Sequence, residues 1–260
     1  MSFFKPSSTF FSLNQYRKDK RDKIITLLQK LSNIITFNDE NSHNFMADEM
    51  ILFSRSLDFL KDKRLIDSAN NVFNSNEIEY RDFSAIIWRK HILTWAGEHC
   101  KKLEGDFCDF GCYDGSGSQF INEYCELNKN NKIFYLYDTF TAPPNSHPFP
   151  KHSDSLYDDV VKKFSKDSNI RVIKGTLPKS MEGNLPNKIA FAHVDLNDVK
   201  SELGVLDKIL KKMSKGGIII LDDYGWSQYK EQLRVEKKFF NDNNLKVLEL
   251  PTGQGMVLIG

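Results

Sequence analysis

The sequence predicts an α/β fold: a mostly parallel, seven-stranded sheet with helices on both faces, preceded by a layer of helices. Three observations lead there. From Asp106 onward, short near-continuous apolar runs alternate with helix-length amphipathic stretches, the rhythm of parallel strands buried on both faces. Before that point apolar residues recur at the spacing of a helix face. The last two apolar runs are joined only by Pro251 to Gly255, too short a link for a crossover helix, so those strands must pair antiparallel.

Taken in order, the first helix carries Ile24, Leu27, Leu28, Leu31, Ile34 and Ile35 on one face. A polar loop, Phe37 to Asn44, follows it. A second helix is expected through Met50, Ile51, Phe53, Leu57, Leu60 and Leu65, and a third from about Arg81 to Cys100, with Trp88 and Trp95 in the core. Residues 1–100 thus read as a helical layer or cap and residues 101–260 as the sheet domain. Expected strands are Phe107 to Phe110, Ile133 to Tyr137, Ile170 to Ile173, Ile189 to Val194, Gly217 to Leu221, Leu245 to Leu250 and Met256 to Ile259. Helices are expected at Ser116 to Leu127, Leu156 to Phe164, Val199 to Met213 and Tyr229 to Asn241.

Composition narrows the function. Lys plus Arg number 36 against 35 Asp plus Glu, a net charge of +1 over 260 residues, which provides no global field for a nucleic-acid backbone or an anionic membrane. No apolar run approaches the ~20 residues that span a bilayer, and no secretion signal is evident, so a cytoplasmic protein is expected. Cys100, Cys108, Cys112 and Cys125 lack paired metal-ligand spacing and read as buried, reduced thiols.

The first expected strand runs into Asp109-Phe110-Gly111-Cys112-Tyr113-Asp114-Gly115-Ser116-Gly117 at the start of a helix. Glycines at the carboxyl end of a strand let a cofactor approach the backbone. A dinucleotide would bring a pyrophosphate, which the carboxylate of Asp109 repels; S-adenosylmethionine (SAM) brings an ammonium and a sulfonium, which it welcomes. The second strand ends at Asp138, an acid positioned to accept hydrogen bonds from ribose hydroxyls. Asp195 closes the fourth strand, and Asp222 and Asp223 close the fifth. On adjacent strands these three carboxylates converge above the cleft, an all-oxygen set suited to Mg²⁺.

The glycine loop, Tyr137-Asp138-Thr139-Phe140, Lys174-Gly175-Thr176-Leu177-Pro178, His193-Val194-Asp195, Gly216 through Gly225 and Leu250-Pro251-Thr252-Gly253-Gln254-Gly255 together resemble the macrocin O-methyltransferase family. The resemblance covers residues 80 to 260 and implies a Rossmann-like class I, metal-dependent SAM methyltransferase acting on sugar hydroxyls. It further implies that Asp138 binds the ribose, that the Gly111 to Gly117 loop lines the methionyl part and that Gly175 and Thr176 lie near adenine; the expected cofactor residues are Asp109, Gly111, Tyr113, Gly115, Ser116, Gly117, Asp138, Thr139, Phe140, Gly175 and Thr176. Asp195, Asp222 and Asp223 would hold Mg²⁺.

Asp195 is the first choice for the group that takes the acceptor's proton and His193 the second; His193 is otherwise expected to support the metal site. Thr141 to Ser155 reads as a lid or substrate wall. The expected partner is a small polyhydroxylated acceptor, and the apolar faces of the first helices suggest a homodimer. Two alternatives stay open, an NAD(P)-dependent oxidoreductase and a catalytically silent SAM-binding module.

Overall fold

A computed structural model of the chain describes residues 9–11, 22–24, 26–27, 30–31, 43–48, 50–76, 86–141, 153 and 155–260. These fall into two compact units, Met1–Ile92 and Leu93–Gly260.

The first unit holds a sheet where only helices were expected. Strands β1 (Thr9–Phe11), β2 (His43–Ala47) and β3 (Met50–Arg55) lie in that order, β1 parallel and β3 antiparallel to β2. Met50 to Arg55 is therefore strand, not helix. Ala47 pairs directly with Met50, and Asp48 beside it has φ +53°, as a tight antiparallel connection requires. The helical pattern resumes at α1 (Lys63–Asn76) and α2 (Ile87–Cys100), which leads into the second unit. Asp48 accepts hydrogen bonds from the backbone N–H groups of Trp88 (2.8 Å) and Arg89 (3.3 Å), capping α2. Its burial there pushes its carboxyl up to about 6, against the opposing pull of those hydrogen bonds. Trp88 packs against Phe45 and Phe59. Of the first expected helix, residues 22–24, 26–27 and 30–31 are helical; its remainder, most of the 37–44 loop, and Tyr80 to Phe83 lie outside the described residues.

The second unit follows the expected pattern closely. Strands β4 (Asp106–Phe110), β5 (Phe134–Asp138), β6 (Ile170–Lys174), β7 (Ile189–Val194), β8 (Met213–Leu221), β9 (Leu248–Glu249) and β10 (Gly255–Leu258) form one sheet in the order β6-β5-β4-β7-β8-β10-β9. Neighbours from β6 to β8 are parallel, and β10 runs antiparallel to both β8 and β9. The helices are α3 (Ser116–Cys125), α4 (Leu156–Lys163), α5 (Val199–Leu210) and α6 (Lys230–Asp242). Every residue of β7 is buried, as a central strand covered on both faces requires.

Phe107 packs against Phe134 and Phe191 at the middle of the core. Trp95 departs from expectation: it is 53% exposed and stacks on His99, whose Nε2 meets the Gly216 carbonyl at 2.9 Å. All four cysteines are buried and none forms a disulfide. Among the described residues no helix is long and apolar enough to cross a membrane.

Phe107→Ala should cost about 3–5 kcal/mol of stability, measured by chemical denaturation, because the fully buried ring leaves a cavity between two others. A loss below about 1 kcal/mol would show that the three-ring cluster is not the packing centre.

Candidate cofactor and catalytic site

Register decides which side chains meet. Asp109 on β4 pairs with His193 on β7, and His193 with Ile220 on β8, so the strands deliver Gly111, Asp195 and Asp222 to one edge of the sheet. Just inside that edge runs a buried polar row. Asp109 Oδ1 faces His193 Nδ1 at 2.8 Å, and Asp109 Oδ2 accepts the Ser118 hydroxyl. His193 Nε2 lies 3.5 Å from Asp222 Oδ1, within ion-pair reach without a directed hydrogen bond. Gln254 Nε2 donates to the same Asp222 oxygen (2.9 Å), and Thr252 Oγ1 donates to Gln254 Oε1 (3.1 Å). Burial alone would drive His193 to neutrality, but the Asp109 and Asp222 carboxylates outweigh it and push the imidazole up to about 10. His193 therefore carries a proton at neutral pH.

The glycine loop closes over this row. Gly111 has φ +97°, and a Cβ there would overlap the carbonyl oxygen of Asp195, whose N–H donates to Phe110 O at 2.9 Å. Only glycine permits that approach of β4 to β7. The N–H groups of Gly111 and Cys112 donate to Tyr137 O, at 2.8 and 3.3 Å. Asp138 gathers the loop from the next strand: Oδ2 accepts from Tyr113 N–H and Oδ1 from Phe140 N–H, both at 2.7 Å, and the Asp138 carbonyl accepts from Gly175 N–H at 2.9 Å. Tyr113 and Phe140 both have positive φ, which these hydrogen bonds hold in place. Asp114 accepts from Ser116 N–H (3.0 Å) at the start of α3.

Of the residues expected at the cofactor, Gly111, Tyr113, Phe140 and Gly175 are drawn to the end of β5 by these hydrogen bonds. Gly111, Tyr113, Ser116, Gly117, Asp138, Thr139 and Gly175 are partly exposed and Thr176 is exposed. Asp109, Gly115 and Phe140 are buried. The two oxygens of Asp109 are engaged by His193 and Ser118, Gly115 abuts the Phe164 ring, and the Phe140 ring lies 5.4 Å from Tyr157. These three shape the loop from beneath; the expectation that Asp109 presents its charge to the cofactor's cations is corrected accordingly. Of the segment 141–155, only residues 141, 153 and 155 are described, so the expected lid lies almost wholly outside them.

Asp195, Asp222 and Asp223 lie within one electrostatic neighbourhood. Burial, followed by the charges of Asp222 and Asp223, raises the Asp195 carboxyl well above the usual range, while His193 pulls it down. Asn197 Nδ2 donates to Asp195 Oδ1 at 3.1 Å. Crowded hard-oxygen donors with excess negative charge fit a divalent cation in their chemistry. As they stand, however, no group of three His, Cys, Asp or Glu side chains among the described residues is arranged to hold a metal ion.

Sequence reasoning missed the acids behind this cluster. Glu202 on α5 and Glu236 on α6 are each 1% exposed. Glu202 Oε1 accepts from the N–H groups of Leu196 (3.0 Å) and Asn197 (3.2 Å), fixing the turn that follows Asp195. Burial first, and then the neighbouring acid Glu236, pushes Glu202 up to about 10; burial pushes Glu236 up to about 7. Glu202 Oε2 and both Glu236 carboxylate oxygens are buried without a hydrogen-bond partner.

Residues 108–224 match a family described as "Methyltransferase domain". No curated protein matches the sequence. Among solved structures, the O-methyltransferase NovP is similar at 16% identity, covering 66% of this chain and 80% of its own, with a TM-score of 0.56. The SAH-bound methyltransferase PaMTH1 of Podospora anserina is similar at 13% identity over 94% and 97%, TM-score 0.53. CalS11, a calicheamicin methyltransferase, is similar at 14% identity over 75% and 92%, TM-score 0.53. At such identities the likeness is one of fold, and it joins the family match over the glycine loop and the Asp195–Asp222 edge. The second unit is a Rossmann-like SAM-dependent methyltransferase domain, and the nicotinamide alternative is set aside.

Two outcomes follow. Asp138→Ala orphans the Tyr113 and Phe140 N–H groups and should weaken SAM by at least about tenfold in calorimetry, with circular dichroism unchanged; unchanged affinity would show the loop to be held elsewhere. Glu236 binds its proton more tightly folded (about 7) than its ordinary 4.5, so its contribution favours folding at low pH and is lost as pH rises through about 7. Glu236→Gln should flatten the fall in melting temperature between about pH 5 and 7 and raise it at about pH 8. An unaltered pH profile would mean that burial does not raise the Glu236 carboxyl.

Proposed function

We propose that the protein methylates a hydroxyl of a sugar or other small polyhydroxylated metabolite, using SAM and Mg²⁺, in the cytoplasm. The observation that carries this reading is the methyltransferase-domain match over residues 108–224, which spans the glycine loop that Asp138 gathers and the ends of β7 and β8 where Asp195, Asp222 and Asp223 lie. Methyl transfer is an in-line displacement at the sulfonium carbon, so the protein must align the acceptor oxygen and receive its proton. Asp195, at the end of β7 beside the glycine loop, is assigned the second task; burial first, and then the Asp222 and Asp223 charges, raises its affinity for a proton. His193 is not: it already carries its proton between Asp109 and Asp222, so its role is to hold them. Asn197 and Glu202 keep the Asp195 turn in place.

Asp195, Asp222 and Asp223 would hold the Mg²⁺, which when bound lowers the pKa of a nearby hydroxyl. CalS11, one of the structures of similar fold, is described as a TDP-rhamnose 3'-O-methyltransferase, which supports a sugar acceptor. A homodimer, suggested by the apolar amino-terminal segments, completes the reading; light scattering at micromolar concentration should give twice the chain mass, and a single-chain mass rules it out.

The test combines cofactor binding with turnover. SAM should bind in calorimetry, and labelled methyl should pass to members of a panel of sugars and vicinal diols, stop in EDTA and return with Mg²⁺. Asp195→Asn should abolish transfer while SAM affinity changes by less than about tenfold, or ~1.4 kcal/mol. Full transfer in EDTA would contradict the metal, and SAM binding without transfer to any panel member would favour a silent cofactor-binding module.

A further inference from the structure

Resting on the reading of the glycine loop, Asp138 and Gly175 as the lining of the cofactor site, we propose that Tyr157 and Lys163 are cofactor-positioning residues: through them α4 clamps together the three strand ends that receive SAM. Those ends need a clamp. Gly115 after β4, Phe140 after β5 and Gly175 after β6 have φ of +72°, +59° and +149°, so each segment takes a backbone conformation that an ordinary chain rarely keeps. Asp138 ties Tyr113 to Phe140, but none of its hydrogen bonds reaches Gly115. Helix α4 touches all three segments.

The contacts differ in kind. Lys163 Nζ donates to the carbonyl oxygen of Asp114, the residue before Gly115, while the Asp114 carboxylate accepts from Ser116 N–H at 3.0 Å. A Cβ on Gly115 would lie 2.7 Å from the Phe164 ring, so loop and helix already meet. At the other end of α4, the Tyr157 ring lies 5.4 Å from that of Phe140, and the Lys174 ammonium sits 5.1 Å from the Tyr157 centroid as a cation–π partner. Lys174 pairs with Asp138 in the β5–β6 register and precedes Gly175, whose N–H donates to the Asp138 carbonyl. One ring therefore joins the turn after β5 to the turn after β6.

Packing of the helix does not depend on these two groups. Leu156, Val160 and Phe164 are the buried residues that seat α4, whereas Tyr157 and Lys163 are half-buried beside them. An ammonium on one loop carbonyl fixes the peptide that leads into α3 and adds little apolar burial. A site whose turns are set in advance loses less freedom on binding, so the clamp acts on cofactor affinity more than on stability.

The test is calorimetric titration of S-adenosylhomocysteine into the full-length protein, with the melting temperature recorded without ligand. Lys163→Met and Tyr157→Leu should each weaken S-adenosylhomocysteine by about fivefold or more, as expected when the binding-competent turns become a minor state. Their ligand-free melting temperatures should stay within about 2 °C of wild type. Lys163→Arg and Tyr157→Phe, which keep the cation and the ring, should bind within about twofold of wild type. Lys162→Met removes the same charge from the exposed neighbouring position and should bind as wild type does. If Tyr157→Leu does not fold, Lys163→Met decides the matter. Wild-type affinity in Lys163→Met overturns the clamp, as does an equal loss in Lys162→Met, or a loss matched by lower ligand-free stability, which would mark general damage. A wild-type protein that binds no S-adenosylhomocysteine overturns this inference together with the cofactor reading, whereas unchanged variants of a protein that binds it overturn this inference alone.

Discussion

The contact between the His193 imidazole and the Asp109 carboxylate is the constraint on which the site's geometry depends. It joins two adjacent parallel strands through a charge-assisted hydrogen bond in the interior, where low dielectric strengthens a satisfied pair and penalises a broken one. Asp222 approaches the other ring nitrogen from the third strand, so one cation serves two anions across β4, β7 and β8. Ser118 at one end and Gln254 with Thr252 at the other close the row with neutral donors. The outer layer of the site, Asp195 and the glycine loop, is built on this floor: Asp195 follows His193 by two residues and reaches back to Phe110 through its backbone N–H.

Asp109 shows how one residue can be anticipated correctly in place and wrongly in role. Its position at the end of β4 was legible because strand, acid and glycine occur together in sequence. Its partners were not, since Ser118 sits on the following helix and His193 on a strand more than eighty residues away. The same holds for Gln254, which lies in a motif visible in the sequence but acquires its partner only when antiparallel pairing sets it against Asp222. Glu202 and Glu236 left no signal, because an acid on an amphipathic helix looks like solvent-facing charge until tertiary packing buries it.

Most of the second unit was legible for the opposite reason. Its central strands are mostly buried and near-continuously apolar, its helices amphipathic, and the alternation of short apolar runs with helix-length stretches marks a parallel sheet covered on both faces. The first unit defeated that logic at Met50 to Arg55. Met50, Phe53, Leu57 and Leu60 match a helix face, yet Met50-Ile51-Leu52-Phe53 is equally an apolar strand, and a tight turn at Asp48 lacks the glycine that usually announces a hairpin. Pairing with β2 decided the matter, and pairing is a non-local fact.

The charged row is tested most directly by nitrogen-resolved NMR of the His193 side chain across about pH 5 to 9. With Asp109 and Asp222 on either side, the ring should keep both N–H protons through about pH 8 and lose one only toward 10, against an ordinary value of 6.5. A ring that turns neutral near 6.5 would mean that the three strands are not tied by a buried imidazolium, and the arrangement of Asp195, Asp222 and the glycine loop would need another cause.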